Sequence, residues 1–331
     1  MVFLKWLALI LMALVLGSVG VYLMQPSMDE VGIDYESPYQ GSYEKKSGER
    51  ASVVTVKWFG VSTLLIDDGE TQLLIDGYFS RPGLLDVALK RPISPELDTI
   101  ARVVDRFGMD RVAAVMPVHS HFDHALDSGE VAKFTGALLL GSQSTANIGR
   151  SAKLPESQIG IVDVDKIYNF GQFKVTFYAS EHAPLGSNSG IDGVISEPFE
   201  IPADYTAWQL GQAYSIVIEH PSGVMLVEGS AGFVAGALGD LAVDAVFLGV
   251  GGLRDLARDY QQEYIYEKVV KTNPNNVYII HHDDMFDTLG KVDQSKLMLS
   301  FDSTFAFELQ QLVLPANLKQ LRYGEAISIS R

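Results

Sequence analysis

Val112-Ala113-Ala114-Val115-Met116-Pro117-Val118-His119-Ser120-His121-Phe122-Asp123-His124 is the stretch on which the reading of this 331-residue chain turns. Val112–Val118 is a short apolar run of the kind that forms a buried strand, and it leads directly into three histidines and an aspartate. The chain has only seven histidines, so three within six positions is a concentration. In an extended segment alternate side chains share a side, so His119 and His121 point the same way and can reach one cation. Asp123 and His124, where the chain is predicted to turn into a helix, can face a neighbouring ion. Mixed imidazole and carboxylate donors suit zinc, and also manganese or iron. A run of solvated loop histidines is the plain alternative, and it does not explain the buried strand that delivers them.

Outward from this stretch the chain alternates short apolar runs with turns. Val53–Phe59, Thr63–Ile66 and Gln72–Ile75 read as strands, with Asp67-Asp68-Gly69 as a hairpin turn. Leu97, Ile100, Val103 and Val104 give Pro95–Phe107 a helical period. Phe173–Ala179, Tyr214–Ile218, Val224–Val227, Ala245–Leu248, Val277–Ile280 and Ala326–Ser330 read as further strands, and Leu253–Lys271 as a helix. Two strand-rich halves with interspersed helices predict an α/β (α+β) fold, two sheets packed together with helices outside. Ala183–Gly211 is a long stretch of Gly, Pro and aromatics without a period, expected to be an ordered loop that shapes a pocket.

Trp58-Phe59-Gly60-Val61-Ser62-Thr63 followed by Leu74-Ile75-Asp76-Gly77, the histidine cluster, Ser180-Glu181-His182-Ala183-Pro184 and Tyr278-Ile279-Ile280-His281-His282-Asp283-Asp284-Met285-Phe286 come in that order. Together they resemble the motifs of the metallo-β-lactamase superfamily over most of 53–331. The last is similar to the ascorbate-phosphate lactonase-like and N-acyl-phosphatidylethanolamine phospholipase D-like branches. The resemblance implies a four-layer αββα sandwich and a hydrolase holding two divalent metal ions. It implies His119, His121 and His182 at one ion and Asp123, His124 and His281 at the other, with Asp76 supporting the ligands from a strand end. His282 in place of His281 is an alternative. Asp283 and Asp284 either orient ligand imidazoles or cap a helix.

One motif departs from the pattern. Where the superfamily commonly has Gly-Asp-Thr-Gly, with an aspartate bridging the metals, this chain reads Val227-Glu228-Gly229-Ser230-Ala231-Gly232. Ser230 then stands at the bridging position. Either two ions bind with Ser230 as a non-ligand, or Glu228 reaches them, or the second site is weak. The first is preferred because Asp123, His124 and His281 complete a second ligand set. No Gly-x-Ser-x-Gly elbow is present. Gly249-Val250-Gly251-Gly252 lacks the lysine of a phosphate-binding loop and is expected to end a strand tightly.

Twenty-five basic against 41 acidic residues give a net charge of −16, which disfavours a nucleic-acid partner. With no cysteine, disulfides, thiolate metal sites and lipoprotein acylation are excluded. Trp6–Met24 is an apolar run that as a helix would extend ~28 Å, close to a bilayer core. Residues 1–24 are therefore expected to anchor the chain in a membrane, 25–52 to form a polar linker, and 53–331 to be the catalytic domain. Lys5 before the run and acidic residues after it place that domain outside the cytoplasm, in the periplasm of a bacterium. A cleaved signal, giving a secreted protein, is the alternative. His220 and the arginines Arg81 and Arg150 are expected at the surface.

The expected chemistry is attack of a metal-activated hydroxide on an ester, lactone or phosphodiester of a small-molecule or lipid-derived substrate. Asp123 and His124 are the expected catalytic pair. A membrane-tethered metal-binding protein with weak or lost catalysis is the alternative.

Overall fold

Most strands in this chain are apolar on both faces, and both faces are covered. The computed structural model describes residues 33–38, 40, 53–184, 190–291 and 303–331, with the isolated helical positions Trp6, Ile10 and Met12. One seven-stranded sheet has the order β14 (Ala326–Ile329), β1 (Val54–Trp58), β2 (Leu64–Asp67), β3 (Gln72–Ile75), β4 (Val112–Met116), β5 (Leu138–Gly141) and β6 (Ile159–Ile161). The other has the order β13 (Asn317–Gln320), β12 (Asn276–Ile280), β11 (Ala245–Gly249), β10 (Gly223–Glu228), β9 (Ala213–His220), β8 (Phe173–Ser180) and β7 (Ile167–Phe170). The last strand β14 returns to pair with β1, Ile329 opposite Val54.

Alternation along the strands sorts side chains into three apolar layers. Val54, Val56, Trp58, Ile75 and Met116 of the first sheet meet Phe177, Ile216, Val227 and Phe247 of the second in the central core. The outer face of the first sheet, Leu65, Leu74 and Val115, lies under Ile100 and Val103 of α2 (Leu97–Arg106) and Val131 of α4 (Ser128–Thr135). The outer face of the second, Leu226, Val246 and Ile279, lies under Tyr264 and Ile265 of α6 (Arg258–Ile265) and Leu309 of α7 (Ser303–Leu312). Helix, sheet, sheet and helix form the expected four layers. Three further helices, α1 (Leu84–Ala88), α3 (Phe122–Ala125) and α5 (Gln143–Ser151), complete the described α-helices.

Two expectations about the N-terminal part change. Among the described residues no helix is long and apolar enough to cross a membrane. The membrane-anchored placement outside the cytoplasm is corrected on this finding, while the expected span itself lies outside the described residues apart from Trp6, Ile10 and Met12. Within 25–52, read as a free linker, Ile33 is buried and Tyr35 bridges to Gln320 of β13. Gln320 Nε2 donates to Ile33 O at 2.7 Å.

Candidate metal centre

β3 and β4 are parallel, as are β10, β11 and β12. β8 runs the same way as β10, since each is antiparallel to β9. Five of these strands, β3, β4, β8, β10 and β12, deliver Asp76, His119, His182, Ser230 and His281 from their carboxyl ends to one edge of the sandwich. Tyr214 N–H donates to Val118 O at 2.9 Å, tying the two sheets together at this edge.

Two groups of donors form, each with its ligating atoms within 4.8 Å of one another: His119, His121 and His182, and Asp123, His124 and His281. The partition expected from the sequence is the one the fold assembles. In the first group His119 Nε2 is 3.0 Å from His121 Nδ1. His121 Nε2 meets Ile191 O at 3.2 Å and His182 Nδ1 meets Ala183 O at 2.8 Å. A carbonyl only accepts, so these contacts place the protons there and leave His121 Nδ1 and His182 Nε2 as lone pairs. Burial pushes all three imidazoles down, His182 to about 4, with neighbouring histidines adding to the effect. All three are neutral at pH 7, the form that ligates.

The second group is held differently. His124 Nδ1 donates to Asp76 Oδ2 at 2.7 Å, while Asp76 Oδ1 accepts from Val118 N at 2.9 Å. Burial would lower the His124 pKa, but Asp76 and then Asp123 outweigh it and raise it. Asp123 Oδ2 lies 3.3 Å from His281 Nε2 and 3.6 Å from His124 Nε2. Burial favours a neutral Asp123, yet His124 and His281 overcome that and hold its carboxyl well below the usual carboxylate range. His124 Nε2 is buried without a hydrogen-bond partner. A buried lone pair facing a carboxylate and a second imidazole fits a divalent cation.

Backbone strain marks this edge. Val61, Asp76, Ala231 and His281 have positive φ values of 47°, 59°, 48° and 57°, a region that costs about 1–3 kcal/mol for a non-glycine residue. Val61 is held there from three sides. Its N–H donates to Asp283 Oδ1 at 2.8 Å, and its carbonyl accepts from His281 N and Trp58 Nε1 at 2.8 and 2.9 Å.

No family model matches the chain. Among curated relatives, a UPF0173 metal-dependent hydrolase from Pyrobaculum calidifontis is 29% identical over 103 residues, 31% of this chain and 39% of the relative. One from Pyrobaculum neutrophilum is 25% identical over 177 residues, 54% of this chain and 61% of the relative. The chain thus spans about two fifths of the length of the first of these relatives. Among solved structures, an isothiocyanate hydrolase from Delia radicum gut bacteria superposes with a TM-score of 0.52 at 15% identity, covering 83% of this chain and 99% of that one. The metallo-β-lactamase fold protein YhfI from Bacillus subtilis gives 0.47 at 12% identity, covering 83% and 99%. Over part of its length the chain is thus similar to metal-dependent hydrolases, and it shares the fold of the isothiocyanate hydrolase.

Against the superfamily's pattern, the departing motif has a clear local role. Ser230 Oγ lies 2.9 Å from His119 Nδ1, on the ring nitrogen opposite the one that faces His121. Glu228 turns away, with Oε2 2.8 Å from the buried Lys268 ammonium. His282 stacks on Trp58 with ring centroids 4.9 Å apart, leaving His281 at the centre. Asp283 accepts from Val61 N at 2.8 Å and pairs with Arg81 at 3.4 Å. Arg81, expected at the surface, is buried and also donates to Phe59 O. His220 is likewise buried, against Phe173 and 3.5 Å from Asp68. Arg150 is on the outside, paired with Glu156 at 2.8 Å. A cavity of about 370 Å³ opens beside His182, lined in part by Glu181, Asp192, Leu210 and Gln212.

Lys268 is the residue that sequence reasoning passed over. Gln261, Tyr264, Ile265 and Thr272 are buried along one face of the α6 region, and Lys268 falls in the same period. A lysine on the apolar face of a helix was the available signal.

Proposed function

We propose that this chain is a hydrolase dependent on two divalent metal ions, zinc in the first instance, acting on an ester, lactone or phosphodiester of a small molecule. The observation that carries this is the pairing of two three-donor groups at one sheet edge, His119, His121 and His182 beside Asp123, His124 and His281. Ions held there would polarise the scissile group and lower the pKa of a water molecule. The residues of the chain then have distinct tasks. Asp123, kept ionised by His124 and His281, would help hold the second ion and accept a hydrogen bond from the attacking water, orienting it. Asp76 holds the tautomer of His124. The described cavity beside His182 has the size of a small-molecule site, and the −16 charge argues against a nucleic-acid substrate.

One observation favours a second reading, a metal-binding protein with weak catalysis: Ser230 occupies the place of the superfamily's bridging carboxylate and binds His119 instead. Zinc-loaded protein should turn over a generic phosphodiester or a lactone, and Asp123→Asn should lose that turnover. Tight metal binding with no turnover of either probe would favour the second reading.

A further inference from the structure

Behind the first donor group lies a buried ion pair that the proposed chemistry does not use. Lys268 and Glu228 are both buried and meet at 2.8 Å. Lys268 Nζ also donates to Ser215 Oγ at 2.6 Å and to Ser180 Oγ at 3.3 Å, and Ser215 Oγ donates to Glu228 Oε2 at 2.6 Å. Lys268 reaches this position from a π-helical turn, Tyr266–Val270, that continues α6. Such turns shift the helix register locally and are frequent near functional sites.

The pair anchors the turn Glu228–Gly232, and that turn touches both ends of the first donor group. Ser230 N–H donates to Glu228 Oε1 at 3.3 Å, and Ser230 Oγ meets His119 Nδ1 at 2.9 Å. Ser230 O accepts from Ala183 N at 2.8 Å, next to His182. Ser180, at the end of the strand that leads to His182, donates to Gly232 O at 3.2 Å. Gly232 packs so closely on the Glu181 and His182 backbone that a Cβ there would lie 2.0 Å from Glu181 O.

We infer that Lys268, through its ion pair with Glu228, is a positioning residue for His119 and His182 and so sets the affinity of the first metal site. The chain needs this device because Ser230 is neutral. A bridging carboxylate would be fixed by the ions themselves, whereas this turn is fixed from behind by the protein. Partners that orient metal ligands are worth on the order of 10–100-fold in metal affinity.

This inference rests on the metal-centre reading, and the test keeps the two apart. Zinc affinity of the full chain is measured by chelator competition, and the cobalt(II)-loaded protein is followed by its visible absorption. Lys268→Met leaves Glu228 buried without its partner and could unfold the chain. The variant Glu228→Gln/Lys268→Met therefore removes both charges at similar volume. Both variants, or the double variant alone if the single one unfolds, should lose about 10–100-fold in zinc affinity at one equivalent and shift the cobalt spectrum. The Asp67–Arg111 pair, at the far end of β2, serves as control, and Asp67→Asn/Arg111→Met should leave both readouts unchanged. A folded double variant with wild-type zinc affinity and cobalt spectrum would overturn the inference. A wild-type chain that binds no zinc would overturn the metal-centre reading, and the inference with it.

Discussion

Asp76 grips His124 with one carboxylate oxygen, 2.7 Å from Nδ1, and the strand leading to His119 with the other, 2.9 Å from Val118 N. One side chain thereby sets the tautomer of a donor in the second group and the approach of a donor in the first. Its own backbone is held at a φ of 59° to do so. Asp76→Asn keeps an acceptor for one of these bonds but removes the charge that raises the His124 pKa. The variant should bind its second metal equivalent on the order of 10–100-fold more weakly. Isothermal titration with zinc checks this, and an unchanged second binding step would count against the role given to Asp76.

Gly251 lies against the His281 ring, and a Cβ at that position would come within 2.7 Å of Nδ1 and 3.0 Å of Cε1. The ring cannot yield toward Asp123 without changing the 3.3 Å contact there. Gly251→Ala should therefore disturb the second donor group while leaving the fold intact, with metal affinity falling by about tenfold. A crystal structure or a zinc titration showing an unmoved His281 and full affinity would refute the crowding argument.

Asp127 supplies a pH prediction away from the donor atoms. Its Oδ2 accepts from Phe79 N at 2.7 Å and from Ser80 N at 2.5 Å. Its other oxygen is buried without a hydrogen-bond partner. Burial raises its pKa to about 6, the backbone bonds from Ser80 and Phe79 offsetting this in part. The folded chain thus binds this proton more tightly than the unfolded chain. Its stabilising contribution is full below pH ~4 and is lost as pH rises through about 6. Asp127→Asn should flatten that decline by about 2–3 kcal/mol. Urea unfolding of metal-free protein between pH 4 and 7 checks it, and parallel curves for wild type and variant would contradict it.

The sequence made the site more legible than its supports. Local pattern served well at Gln72–Ile75, the same four residues read either way. His119 and His121 converge as expected, with ring nitrogens 3.0 Å apart, but from the bend that follows β4 rather than from a strand. Ile159–Ile161, three residues with a central glycine, offers too little pattern to be read as a strand. Arg81 and His220 were expected at the surface because nothing adjacent in sequence covers them. Their covers come from far along the chain, Asp283 for Arg81 and Asp68 with Phe173 for His220. The contact of Asp283 with Val61 N, 222 residues away in sequence, had no local signal either. The helical period signals that Lys268 is buried, but its pairing with Glu228 is set by tertiary packing that no local period encodes.

Metal content of the purified full chain tests the central claim most directly, compared across wild type, His182→Ala and His281→Ala after dialysis against trace zinc. Two equivalents in wild type and about one in each variant are predicted, since each substitution opens a different donor group. Zinc-free wild-type protein, or variants that retain the full wild-type content, would contradict the account.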